Sequence, residues 1–152
     1  MEKEHLALNY TVSLPVRLDT GPILGKFFLE LRDHKKIWAN KCPSCGRLAT
    51  PCRPYCGRCL GVEMGEWIEQ GDEGTLVSLE VCFYDFIHSS TGQLRKAPWA
   101  TGLVLLDGGA YIEHLIDPPD PAKNKLGGRY KAVWSDDRHG RFHDILYFRM
   151  IE

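Results

Sequence analysis

Five of the six cysteines lie between Cys42 and Cys59, in the stretch CPSCGRLATPCRPYCGRC. Four of them form two Cys-x-x-Cys pairs, Cys42/Cys45 and Cys56/Cys59, with ten residues between the pairs. Two such turns bring four thiolates to one point at little strain, the donor set of a tetrahedral zinc ion with Zn–S distances of about 2.3 Å. A rubredoxin-type iron centre shares the spacing, and a redox dithiol pair is the third chemistry open to these residues, although a redox motif needs only one pair. A zinc site built from four cysteines is closed, and so structural, because catalytic zinc keeps a position for water. Gly46 follows the first pair, where a tight knuckle favours a residue without Cβ so that N–H groups can point at sulfur. Gly61 lies two residues past the second pair and contributes less directly.

Zinc with four thiolates carries a formal charge of −2. Lys41, Arg47, Arg53 and Arg58 surround the pairs with no acid between them, which balances part of that charge. The segment between Lys41 and Leu60 has too few apolar residues to fold without a metal. Cys52 cannot be a fifth ligand of a tetrahedral site and reads as a small packed side chain, as does Cys82 in its strand.

Other catalytic chemistry is poorly represented. No His, Asp and Ser set falls in a nucleophile motif. His88, His114, His139 and His143 are scattered and read as surface or packed histidines. Asp136 and Asp137 look like turn residues, and no Gly-rich phosphate loop follows a strand.

The elements that must position the cysteines are legible from periodicity. Thr20-Gly21-Pro22 is a helix start, and Ile23, Leu24, Phe27, Phe28 and Leu31 recur with helical spacing up to His34–Lys36. That apolar face is large, and serves either this chain's own core or a partner subunit. Residues 36–41 read as a strand into the first cysteine pair, and residues 66–69 as a strand after the second. Residues 74–86 alternate, with Thr75, Val77, Leu79, Val81 and Phe83 on one face. A polar loop over 87–97 precedes a strand from Trp99 to Leu106, a turn at Asp107-Gly108-Gly109 and a return strand over Ala110–Ile116. Further strands are expected over Gly127–Trp134 and Phe142–Ile151. The fold class is therefore mainly β: an N-terminal helix, a rubredoxin-like zinc ribbon, then a five-stranded OB-type barrel, closed because closure removes edges. The expected divisions are an arm over residues 1–21, helix and ribbon over 22–62, and barrel over 63–152.

Composition narrows the function classes. The net charge of −1 does not suit a general nucleic-acid binder. It hides a basic block, with eight bases and two acids from Lys26 to Arg58, and an acidic one, with seven acids and no base from Glu63 to Asp85. A basic block can meet an anionic partner or form a solvated face. No apolar stretch approaches the roughly 18 residues of a membrane span, and the N-terminus lacks a signal-peptide pattern. The expected location is the cytoplasm, where thiols stay reduced.

Taken in order, the helix ending FFLELRDHKKIWANKCPSCG, then TPCRPYCGRC, GTLVSLEV, PWATGLVLLDGG, LGGRYKAVW and the closing YFRM resemble one family. It comprises the zinc-ribbon plus OB-fold accessory proteins of acyl-CoA enzymes, and the resemblance spans roughly residues 22–150. One departure is Cys52, where the family usually has proline. The resemblance implies a non-catalytic subunit in a hetero-oligomer whose partner brings the catalytic Cys and His. A thiolase-type partner acting on a 3-oxoacyl-CoA is favoured, with a CoA-ester aldolase or a hot-dog hydratase as alternatives. It implies structural Zn2+ on Cys42, Cys45, Cys56 and Cys59 and a coenzyme A ester as substrate of the complex. Phosphates want Arg or Lys and pantetheine wants an apolar groove, so the candidate CoA contacts are Lys35, Lys36, Trp38, Arg53, Arg58, Arg95, Lys96 and Trp99. The reading from another class is a ribbon-barrel protein that binds single-stranded nucleic acid. The acidic run through the first barrel strand opposes it.

Overall fold

The computed structural model describes residues 16–88 and 92–151. Most of the arm expected over residues 1–21 lies outside the described residues. Helix α1 spans Gly21–His34. Its cap is Asp19, whose carboxylate accepts the Gly21 N–H at 2.8 Å, while the Thr20 hydroxyl makes no capping bond. Phe27 and Leu31 are fully buried, and Ile23, Leu24 and Phe28 pack against the same core. The apolar face of α1 therefore serves this chain's own core.

The ribbon strands are β1 (Trp38–Lys41), β2 (Leu48–Ala49) and β3 (Trp67–Glu69), antiparallel in the order β2-β1-β3. The barrel strands are β4 (Glu73–Cys82), β7 (Trp99–Leu106), β8 (Tyr111–Asp117), β9 (Arg129–Trp134) and β10 (Ile145–Met150). Between β4 and β7 lies a hairpin of β5 (Phe86–Ile87) and β6 (Leu94–Arg95). The barrel closes in the order β10-β8-β7-β4-β9, with β9 antiparallel to β10 and β10 parallel to β8. That circuit is the OB arrangement.

Three expectations need correction. The residues Thr75 to Phe83 do not share one face of β4, because a bulge between Leu76 and Ser78 switches the alternation. Leu76 points into the core before the bulge and Leu79 and Val81 pack against it after, leaving Val77 and Phe83 exposed. The stretch 87–97 holds the end of β5 and all of β6, two-residue strands too short to show a period. The last strand begins at Ile145, because Phe142–Asp144 forms a 3-10 turn. The buried Asp144 carboxylate holds that turn by accepting the N–H groups of His139, Gly140 and Arg141.

One apolar cluster runs through the whole fold. Phe27, Leu31, Ile37 and Cys52 from helix and ribbon join Leu76, Val104, Ile112, Tyr130 and Phe148 from the barrel. Phe28 and Phe142 meet edge to face with centroids 5.4 Å apart. An ion pair links the basic and acidic blocks, with Lys36 on Glu69 at 2.7 Å, and Glu73 of the acidic block lies between Lys131 and Arg129 of β9. These pairs are exposed or half-exposed and set charge pattern more than stability.

The ribbon is locked to the barrel by buried Gln70. Its side chain donates to the Ile68 carbonyl and accepts the Ala110 N–H at 2.8 Å, and its backbone carbonyl accepts the Gly108 N–H. A Cβ at Gly108 would stand 2.7 Å from the Gln70 Cα and side chain. Gly108→Ala is therefore expected to destabilise the fold by about 1–3 kcal/mol through overpacking. Denaturant unfolding measures it, and an unchanged midpoint would show that the joint is slack.

Candidate metal centre and flanking pockets

The two cysteine pairs sit on matching knuckles. The Gly46 N–H bonds the Cys42 carbonyl at 2.9 Å, and the Leu60 N–H bonds the Cys56 carbonyl at 3.1 Å. Cys42 N–H reaches Arg47 and Cys56 N–H reaches Val62, so the second knuckle is one residue longer. Gly46 adopts φ 71°, and its counterpart in the second knuckle is Leu60 at φ 43°, followed by Gly61 at φ 81°. A leucine in the left-handed region is strained, and Leu60 has no packing reason to be there, being 81% exposed.

The four sulfurs of Cys42, Cys45, Cys56 and Cys59 lie within 4.8 Å of one another. The Cys45 and Cys56 sulfurs are 3.8 Å apart. Tetrahedral Zn–S bonds of about 2.3 Å require S–S edges of roughly 3.8 Å. The Cys59 N–H points at the Cys56 sulfur at 3.5 Å. Backbone N–H groups of Cys59 and Arg58 lower the Cys56 thiol to about 6, whereas its hydrogen bond to Cys45 pushes Cys59 up to about 11. Four thiolates this close need a central cation, so the cluster can hold a metal ion and fits structural zinc. Among the described residues it is the one group of three or more Cys, His, Asp or Glu donors so placed. No coordination position is left for a substrate when four sulfurs close the tetrahedron.

Asn40 carries this centre on the core. Fully buried, it donates to the Arg53 carbonyl at 2.6 Å and accepts the Arg53 N–H at 3.2 Å. The adjacent Cys52 is buried in the core, and burial pushes its thiol up to about 12, which leaves it protonated and inert. Cys82 is also buried.

The proposed CoA contacts fall in three places. Lys36 is paired with Glu69 and lies over the Trp38 ring, while the Trp38 indole donates to Glu30 at 3.2 Å and meets Trp67 edge to face. Lys35 is the exposed left-handed residue that ends α1. Arg53 and Arg58 line a groove of about 670 Å³ beside the cysteine cluster, together with Arg47 and, across from them, Tyr111 of the barrel. Arg95 and Trp99 line a separate pocket under the β5–β6 hairpin, next to exposed Lys96. Trp99 is fixed there by its indole bond to the Tyr84 carbonyl at 3.0 Å and by contact with Phe86.

Sequence reading missed Arg47 as a groove residue and the meeting of His88, His114 and His143 around the hairpin pocket. A signal existed for one of them: His114 stands between Ile112 and Ile116 on the inward face of β8. Of the other imidazoles, His139 bonds Asp137 and His34 bonds Glu30, and neither is held against a nucleophile. No helix among the described residues is long and apolar enough to cross a membrane.

No family profile matches the chain, and no curated protein matches it in sequence. Solved structures do. The fold is similar to an Ltp2–ChsH2(DUF35) aldolase, with a TM-score of 0.61 and 19% identity over 90% of this chain and 100% of that one. It is also similar to a DUF35-family protein of unknown function from Sulfolobus solfataricus, with a TM-score of 0.55 and 22% identity over 86% of this chain and 85% of that one.

Cys42→Ser and Cys59→Ser are expected to abolish metal retention and to cost solubility, measured by elemental analysis of the purified protein. A soluble, well-folded, metal-free serine variant would contradict a structural metal. Leu60→Gly should relieve the left-handed strain and raise stability by roughly 0.5–1 kcal/mol, read as a higher chelator concentration needed to unfold the ribbon.

Proposed function

We propose that this chain is a non-catalytic, zinc-binding accessory subunit of a complex that processes acyl-CoA esters. Its catalytic partner in this reading is a thiolase-type subunit that forms or cleaves a 3-oxoacyl-CoA. The observation that carries the accessory role is the fold likeness to the Ltp2–ChsH2(DUF35) aldolase across 90% of the chain. The all-thiol metal site supports it, since a closed centre supplies shape and no reactive position. The resemblance of the helix, ribbon and barrel motifs to acyl-CoA accessory proteins supplies the substrate class. That same aldolase neighbour favours a second reading, in which the partner is a CoA-ester aldolase.

In either case the chain's contribution is positional. A ribbon and a barrel joined through one core offer a partner a rigid surface, and cationic side chains beside it meet the phosphates of coenzyme A. Two places suit that role: the groove with Arg47, Arg53 and Arg58, and the pocket with Arg95 and Trp99. Binding of single-stranded nucleic acid remains the poorer fit, because Glu73 and Glu80 put acid on the first barrel strand.

The test is gentle affinity purification of the tagged full chain from its native cells, with mass spectrometry of what it carries. A thiolase-type subunit in stoichiometric amount is the expected result. An aldolase moves the reaction to the second reading, and a hot-dog hydratase overturns both partner choices while keeping the accessory role. Recovery of the chain alone, or with nucleic acid, overturns the proposal.

A further inference from the structure

The pocket under the β5–β6 hairpin is built differently from the ribbon groove. It encloses about 280 Å³ between Phe86, Trp99 and Phe142 on its apolar sides and Arg95, His88, His114 and His143 on its polar ones. The His88 and His143 rings stand 4.8 Å apart. Arg95 and both of these histidines continue into an adjoining groove that ends at Arg141. Glu113 is the one carboxylate among the residues lining the two, and the two guanidiniums outnumber it.

His114 is the most deeply buried of the three lining imidazoles. Only 8% exposed, it donates from Nε2 to the Phe142 carbonyl at 3.2 Å. Its Nδ1 is closed off from solvent. Burial, with His143 and Arg95 nearby, holds this imidazole below its ordinary range against the opposing pull of backbone hydrogen bonds to Phe142 and Leu115, so it adds a neutral wall to the pocket. Burial also lowers His143, with His88, Arg141 and Arg95 adding to the effect, which leaves the guanidiniums as the fixed positive charge. These imidazoles are not grouped closely enough to hold a metal ion.

We infer that this pocket binds an oxyanion carried on an apolar stem, a carboxylate or a phosphate monoester. Arg95 is its principal cation. Aromatic walls cover the stem, and the histidine pair and Arg141 extend the polar end. This inference deepens the acyl-CoA reading, which already set the phosphates of coenzyme A beside Arg95, and it takes its probes from that reading.

The experiment follows the imidazole C–H resonances of the full chain by NMR during titration. Phosphopantetheine represents the phosphate source, 3-hydroxyhexanoate the carboxylate source, and inorganic phosphate an anion without a stem. The expected result is a saturable shift of His114 and His143 at sub-millimolar concentration with one of the two stem-bearing probes. His34, exposed on α1, should stay still. Arg95→Ala should weaken that binding about tenfold or more, as loss of a charge-assisted contact does. His143→Gln is the second variant, expected to weaken it less, should Arg95→Ala fail to fold. Which probe wins names the source of the oxyanion. Equal response to inorganic phosphate, a response indifferent to Arg95→Ala in a folded variant, or no shift at millimolar ligand overturns the site. Partner recovery in the affinity purification is independent of these shifts, so failure here leaves the accessory role standing.

Discussion

Four sulfurs confined within 4.8 Å set the terms for the ribbon half of this protein. Thiolates at that separation repel one another strongly in a partly buried site, and only a shared cation turns repulsion into cohesion. The segment around them is mostly loop and turn, with strands of two to four residues on either side. Its apolar content cannot support it. The knuckle hydrogen bonds aim N–H groups at sulfur, and Asn40 fastens the Arg53 backbone so that the second pair arrives where the first is waiting.

The ribbon is tied to the barrel by polar side chains working inside an apolar core. Gln70 satisfies backbone groups on both sides of the joint, and Asp144 gathers three N–H groups to hold the turn that meets α1. Arg138 completes this by donating to the Arg32 carbonyl at 2.7 Å near the helix end. Buried polar groups that are fully paired specify geometry more sharply than apolar contact alone. With Phe27 and Leu31 in the same cluster as Val104 and Phe148, the helix, ribbon and barrel share one core.

The parts legible in the sequence are those governed by local spacing. Cys-x-x-Cys pairs, the helical recurrence from Ile23 to Leu31, and the alternation of Trp99–Leu106 each express one period, and the burial of that strand alternates without a break. What escaped reading depends on contacts between distant residues. The bulge after Leu76 changes which side chains of β4 face inward, and nothing in the run of residues marks it. Leu60 looks like an ordinary apolar residue until the knuckle geometry puts it at positive φ. His88, His114 and His143 lie on separate elements, and only closure of the barrel brings them around one pocket.

Closure of the cysteine cluster gives a metal bound there a structural part. A tetrahedron of four sulfurs has no site for a reacting atom, so a metal held there would act by fixing the surfaces around it. Two surfaces carry positive charge, one between ribbon and barrel beside Tyr111 and one under the hairpin beside Phe86, Trp99 and Phe142. Their arginines are exposed or half-exposed, whereas Lys36 and Arg129 are engaged in ion pairs. A guanidinium left in solvent at the mouth of a preformed groove keeps its full attraction for an incoming anion and needs no rearrangement to meet it. Rigid placement of such groups is what the shared core of helix, ribbon and barrel provides.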